Sequence, residues 1–293
     1  MLEEAADLGF KEVELSHGIP FSLWPGILAG VAQKIVGVSS LHNFCPVPVG
    51  LSASPNALEF SDPDPRRRER AQNYTRATIE QAAKLGAKAV VLHLGSLPSL
   101  RKFDHRLTGY MRKGQWGSRQ FVRQKIAGWQ ESQRLFPDVW PRVRDSLLTL
   151  GEFAQQHQVK LGLENRENLS EFPDDYFWDQ MMAELPDIFG HWHDFGHGAR
   201  KDATGWIDHL DLLRTRSRRL FGCHLHDFSP PQRDHLPLGF GGIPFQKLWT
   251  VLPEAPLFVL ELSPRVTAEN IQTSLQWWNQ HKPALAGASS SNS

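Results

Sequence analysis

The amino-acid sequence predicts an α/β protein, a (β/α)8 barrel lacking its first strand at the N-terminus. Three observations carry this expectation. An alanine-rich helix end, a glycine and an apolar strand follow one another at 5–15 (AADLGFKEVEL) and again at 82–92 (AAKLGAKAVVL). In both, glycine suits the left-handed cap that stops a helix before a strand. Short apolar strands then alternate with helical stretches, which implies parallel strands joined by right-handed crossovers. Seven strands can be counted, and the count opens on a helix, so the strand that would complete eight belongs ahead of Met1.

In order, the first readable strand starts near Glu12 and the second spans 35–42 (IVGVSSLH). Residues 43–65 carry prolines at 46, 48, 55, 63 and 65 and read as a long loop. The stretch 71–85 has small and apolar residues at helical spacing, with Gly86 as its stop signal. A strand runs into Leu92, and 97–117 reads as another loop before a helix at 118–135. A helix at 143–157 leads to a strand at 159–164; further strands are expected at 188–194, 220–226 and 257–262. Helices at 206–216 and 244–252 separate the later ones. No glycine-rich phosphate loop follows any strand, which argues against an open dinucleotide-binding sheet. Residues 1–282 form one barrel domain in this reading, and 283–293 (PALAGASSSNS) a disordered tail.

Composition narrows the class. Of 293 residues, 40% are hydrophobic and 22% charged, enough apolar content for a full core. Thirty-two basic residues balance thirty-two acidic ones, so net charge argues against generic nucleic-acid binding. Cys45 and Cys223 are too few for a disulfide framework, and MLEEAADLGF is no secretory leader, so a cytoplasmic location is expected. No apolar run reaches the ~20 residues of a membrane span. Assembly into a homo-oligomer stays open.

The strand ends carry the chemistry. They hold His17, His42, His93, Glu164, Asp194 with His197, His224 with His226, and Glu261. Barrel enzymes build their sites from these ends, so imidazoles and carboxylates should converge at one mouth. Without cysteine, such a set suits a divalent ion of the manganese, cobalt, zinc or magnesium kind. Any one of these residues could be an ordinary strand end; seven ends agreeing is a signal. His191, His193, His209 and His281 are assigned to packing or surface.

Glu164, the run Asp194-Phe195-Gly196-His197, the run His224-Leu225-His226-Asp227 and Glu261 together resemble the xylose-isomerase-like TIM barrel superfamily. Further motifs are Leu41-His42-Asn43-Phe44-Cys45-Pro46, Val91-Leu92-His93-Leu94-Gly95 and Asp234-His235-Leu236-Pro237-Leu238-Gly239. The resemblance runs to about residue 280, and members include sugar-phosphate isomerases, epimerases and endonuclease IV. The epimerase branch implies one divalent ion held by Glu164, Asp194, His224 and Glu261, with His197 supporting the ligands or the substrate. The endonuclease branch implies three zinc ions. His42, His93 and His235 fall at matching places there, but Arg233 stands where an aspartate is expected.

The expected chemistry is a metal-dependent isomerase or epimerase of carbohydrate metabolism, acting on a sugar, sugar phosphate or related polyol through an enediolate. Glu164 and Glu261 are the expected acid–base pair. His42, His93, His197, His226, His235 and Arg265 are expected to bind substrate or steady the ligands. The alternative is an endonuclease IV-like phosphodiesterase acting on abasic DNA; a non-catalytic ligand-binding barrel is a third class. Residues 101–125 hold eight Lys or Arg against one Asp, a solvated surface or a grip on an anionic group.

Overall fold

The computed structural model describes residues 1–173, 175–231, 233–253 and 256–283. All seven expected strands form: β1 Glu12–Leu15, β2 Gly37–His42, β3 Ala89–Leu92, β4 Lys160–Glu164, β5 Phe189–Asp194, β6 Leu220–Leu225 and β7 Leu257–Leu260. They pair in parallel in sequence order. Around them lie α1 Leu2–Asp7, α2 Trp24–Ala32, α3 Pro65–Leu85, α4 Arg101–Arg112, α5 Arg119–Gln156, α6 Trp178–Glu184, α7 Phe195–Ala203, α8 His209–Arg216, α9 Phe245–Trp249 and α10 Ala268–His281. The repeated unit behaves as its glycines require: Gly9 sits at φ +94° after α1, and Gly86 at φ +72° after α3.

The register sets the site. Asp194 lies beside His224, and the Glu261 N–H continues the β7–β6 ladder by donating to the Leu225 carbonyl at 3.0 Å. Side chains alternate across each strand. Leu161 and Leu163 of β4, with Val90 and Leu92 of β3, therefore face the helices and join Ile79, Val143, Leu147 and Leu150 in the main core. The inner face is filled by Ala89, Val91 and Trp192. Gly162 and Gly222 make room for that indole; a Cβ on Gly162 would stand 2.9 Å from the Trp192 ring. Trp192 thus fills the barrel below its mouth, with its ring edge-on to His224 at 5.4 Å.

Two expectations are corrected. The stretch 97–117 is largely helix, because Phe103, Leu107 and Met111 recur every four residues and are buried. The expected helices 118–135 and 143–157 are one helix, α5, running through Pro137 and Pro141. Proline removes a backbone donor, but the buried stripe Phe136, Val139, Val143, Leu147 and Leu150 continues on both sides and offsets that loss. The expected tail, 283–293, lies outside the described residues from 284 onward.

Among the described residues β1 and β7 share no ladder, so the barrel stays open where an eighth strand would close it. A cavity of about 490 Å³ lies at the opening, lined by Phe10, Val13, Leu225, Phe258, Leu260 and Trp278 among others.

Candidate metal centre

Each candidate ligand arrives at the mouth from its own strand. Oxygens of Glu164, Asp194 and Glu261 and a ring nitrogen of His224 all lie within 4.8 Å of one another. His224 Nδ1 stands 3.3 Å from Glu164 Oε1, 3.0 Å from Glu261 Oε2 and 3.8 Å from Asp194 Oδ2. Glu261 Oε2 is buried and has no hydrogen-bond partner. A carboxylate oxygen left so is costly unless a cation takes its lone pairs. Three carboxylates and one imidazole suit a hard or borderline divalent ion, so the residues fit the metal expected from sequence.

Two neighbours aim His224 and Asp194. Glu14 Oε1 accepts from His224 Nε2–H at 2.9 Å, leaving Nδ1 turned into the cluster; Ser40 Oγ donates to the other Glu14 oxygen at 2.7 Å. Asp194 caps α7: its Oδ1 accepts from the His197 N–H at 2.6 Å. His226 Nδ1 accepts from the His235 N–H at 2.9 Å. The Nε2–H of His226 is then left to donate to both Asp194 oxygens at 3.1 Å. The His-x-x-Asp run has a structural end: Asp227 accepts four backbone N–H groups, from Phe228, Gly239, Gly241 and Ile243. That carboxylate ties down the loop behind His226.

Electrostatics keep the candidate ligands ionised. Burial alone would raise the Glu164 pKa, but the charges of His93 and Arg166 and the His224 hydrogen bond hold it well below the carboxylate range. For Glu261, burial is likewise outweighed, chiefly by His224. Burial opposes charge on His224, yet Glu261 and Glu14 lift its pKa well above the usual value. Burial also opposes charge on His235, but Asp234 and Glu261 push its pKa up to about 11. His235 is thus a cation at the rim, its Nε2 3.8 Å from Glu261 Oε1 and its ring stacked on His226 at 4.2 Å.

The other sequence candidates divide. His42 and His93 reach the cluster, with Nε2 atoms 3.4 and 2.5 Å from Glu164 Oε2. His197 Nδ1 lies 3.4 Å from Glu164 Oε1 and 3.0 Å from the Asn165 carbonyl. His17 sets its ring edge against His42. Arg265 is exposed in the turn after β7, and its backbone N–H makes its described contact, to Ser263 Oγ. The cation found inside is Arg166, whose Nη1 is 3.1 Å from Glu164 Oε2. Sequence reading missed both Glu14 and Arg166. Their signal was there: a charged residue within or just beyond an apolar strand, two places from a small or ligating one. His191, His193 and His209 pack outside the barrel as a buried hydrogen-bonded row.

A cleft of about 520 Å³ opens beside the cluster. Arg101, His105 and Arg112 line it from α4, facing Asn168, Glu171 and Arg200. Asn56 also lines it, and its Oδ1 lies 3.0 Å from His93 Nδ1, linking the cleft to the centre. Of the basic segment, Arg106 turns instead to Gln124, and Lys102 lies over the Phe103 ring.

No curated protein matches the sequence. Among solved structures, a D-tagatose 3-epimerase-like protein superposes with a TM-score of 0.66 at 16% identity, covering 95% of this chain and 91% of that one. An L-ribulose 3-epimerase gives 0.60 at 20% identity, over 94% and 80%. A D-psicose 3-epimerase from Clostridium cellulolyticum H10 gives 0.61 at 14%, over 96% and 92%. The sequence profile described as xylose isomerase-like TIM barrel matches residues 2–281, nearly the whole described chain. The chain belongs to the xylose isomerase-like TIM barrel family.

Proposed function

We propose that the protein is a divalent-metal-dependent sugar isomerase or epimerase, with Glu164, Asp194, His224 and Glu261 holding one ion. The observation that carries this reading is the convergence of Glu164 and Glu261 on His224 Nδ1, with Glu261 Oε2 making no hydrogen bond. The epimerase titles of similarly folded structures support the same class. A bound divalent ion supplies Lewis-acid polarisation of a substrate carbonyl and of the neighbouring hydroxyl.

The chain's own groups do the rest. Glu261 is the better-placed base, because Oε2 makes no hydrogen bond and the residue is part-exposed at the mouth. It takes the proton from the carbon beside the carbonyl. Glu164, ionised at rest and with its Oε2 steadied by His93 and Arg166, draws the proton of a substrate hydroxyl. It delivers that proton to the same carbon from the other side, and Glu261 then gives its own proton back to the substrate oxygen. Negative charge left on the substrate oxygens is met by His235 at the rim and Arg166 within. Asp194 and His224 orient, while Trp192 closes the floor against water.

The test uses purified protein reloaded with manganese, cobalt, zinc or magnesium and offered a panel of ketoses in deuterated water. Deuterium should enter the carbon beside the carbonyl, and Glu261→Gln should abolish that exchange while the metal stays bound. Exchange undiminished in Glu261→Gln would remove the base from its assigned role. Absence of exchange with every ketose, together with cleavage of abasic DNA, would replace this reading by hydrolysis of phosphodiesters.

A further inference from the structure

A second ligand set lies beside the first. His42, His93 and Glu164 bring ligating atoms within 4.8 Å of one another. Each imidazole turns its Nδ1 outward to an amide oxygen. His42 donates to the Asn43 carbonyl at 3.1 Å, and His93 to Asn56 Oδ1 at 3.0 Å. That orients the rings, so both Nε2 atoms face Glu164 Oε2. Two imidazole nitrogens and a carboxylate oxygen, once the imidazoles give up any Nε2 proton, are a ligand set for a cation.

A cation is already there, and it is a side chain. Arg166 Nη1 stands 2.6 Å from His93 Nε2 and 3.1 Å from Glu164 Oε2. The guanidinium is clamped from behind by Glu171, whose Oε1 accepts from Nε at 3.1 Å and Nη2 at 2.9 Å. Glu171 is itself fixed, its Oε2 accepting from the Asn168 backbone and side chain. Arg166 is 7% exposed, and this ion pair holds it in one place.

We propose that Arg166 is a built-in cation occupying a second metal position, so that the centre takes one divalent ion, and that removing the guanidinium opens His42, His93 and Glu164 to a second. This rests on the reading of Glu164, Asp194, His224 and Glu261 as a metal centre. The consequence is chemical. A guanidinium donates hydrogen bonds and carries fixed charge, but it offers no coordination position where water could become hydroxide. The residue thereby favours charge stabilisation on a bound sugar over metal-hydroxide attack on a phosphodiester.

The experiment counts ions. Native protein, Arg166→Gln and the double variant Arg166→Gln/Glu171→Gln are stripped with chelator and titrated with cobalt(II) by calorimetry. Bound metal per chain is then read by elemental analysis, and folding by circular dichroism. The double variant removes both members of the ion pair, guarding against a misfolded single variant. Native protein should bind one ion. The variants should bind two, with second-ion affinity raised at least about 100-fold through loss of like-charge repulsion. His93→Ala added to either variant should return the count to one. Two ions on native protein, or one on folded variants, would overturn the proposal. No ion on native protein would instead overturn the metal-centre reading on which it rests.

Discussion

Glu14 offers a sharp test of how the centre is held. Its Oε1 takes the Nε2–H of His224 at 2.9 Å, across 210 residues of sequence, and its Oε2 takes Ser40 Oγ–H at 2.7 Å. His224 is fully buried, so no water replaces a lost partner. Groups that orient a metal-binding imidazole typically matter 10–100-fold in metal affinity, or about 1.4–2.8 kcal/mol. Glu14→Gln keeps an acceptor for Nε2–H but loses the charge, so it should fall near the lower end, roughly tenfold. Glu14→Ala removes the acceptor, leaves a buried N–H unsatisfied and should fall near the upper end, roughly 100-fold. Sign matters here, because Glu14 also favours a proton on His224, which competes with metal. Removing its charge weakens proton and ion together, so the deficit should be partly masked near about pH 6 and widen toward about pH 8. Competition with a chelator of known affinity, run across that range, measures this. Equal affinities for native protein, Glu14→Gln and Glu14→Ala would refute the orienting role. So would a deficit that shrinks as pH rises.

Gly196→Ala should destabilise by about 1–3 kcal/mol in urea unfolding, because a Cβ there overlaps the His226 ring. Helix propensity alone predicts a gain of about 1 kcal/mol, so the sign decides. Asp227→Ala should cost about 3 kcal/mol or more by the same measurement, since four backbone donors lose their acceptor. Burial works to raise the Glu171 pKa, but Arg166 outweighs it and holds it at about 2. The depressed value contributes stability that is full above the unfolded carboxylate pKa of about 4.3 and is lost as pH falls toward about 2. Urea midpoints for native protein and Glu171→Gln should therefore differ at about pH 6 and converge near about pH 2; parallel curves would discount the pair. Arg101→Gln should raise KM about three- to tenfold for a phosphorylated or carboxylated sugar, less for the free sugar, and less again in high salt. Equal effects on both substrates would mark the α4 face as solvated surface.

What could be read in the sequence divides along a physical line. Strand ends are fixed points of a parallel barrel, so spacing could place Glu164, Asp194, His224 and Glu261 at one mouth along with His17, His42 and His93. The family resemblance singled out the four, and their ligating atoms lie within 4.8 Å of one another. The seven strands were legible for a related reason: glycine caps and short apolar runs act within a few residues. α4 was hidden because its apolar stripe is one residue in four within a cationic run. The continuity of α5 was hidden because the packing that overrides Pro137 and Pro141 comes from distant chain.

Glu14 and Arg166 escaped for a deeper reason. Spacing reports which residues stand at a mouth but not which atom of each faces inward. For an imidazole, that is decided by what the other ring nitrogen touches, and here those partners lie far away in sequence: Glu14 for His224, Asn56 for His93. A glutamate in Glu-Val-Glu-Leu or an arginine after Glu-Asn reads as a strand-end charge until the sheet brings it against its partner. Ligand identity is thus written locally, whereas ligand direction, and whether a neighbouring position is left for a second ion or filled by Arg166, is written in contacts made only by the closed fold. For this chain the number of bound ions therefore tests the fold's long-range hydrogen bonds as directly as it tests the ligands.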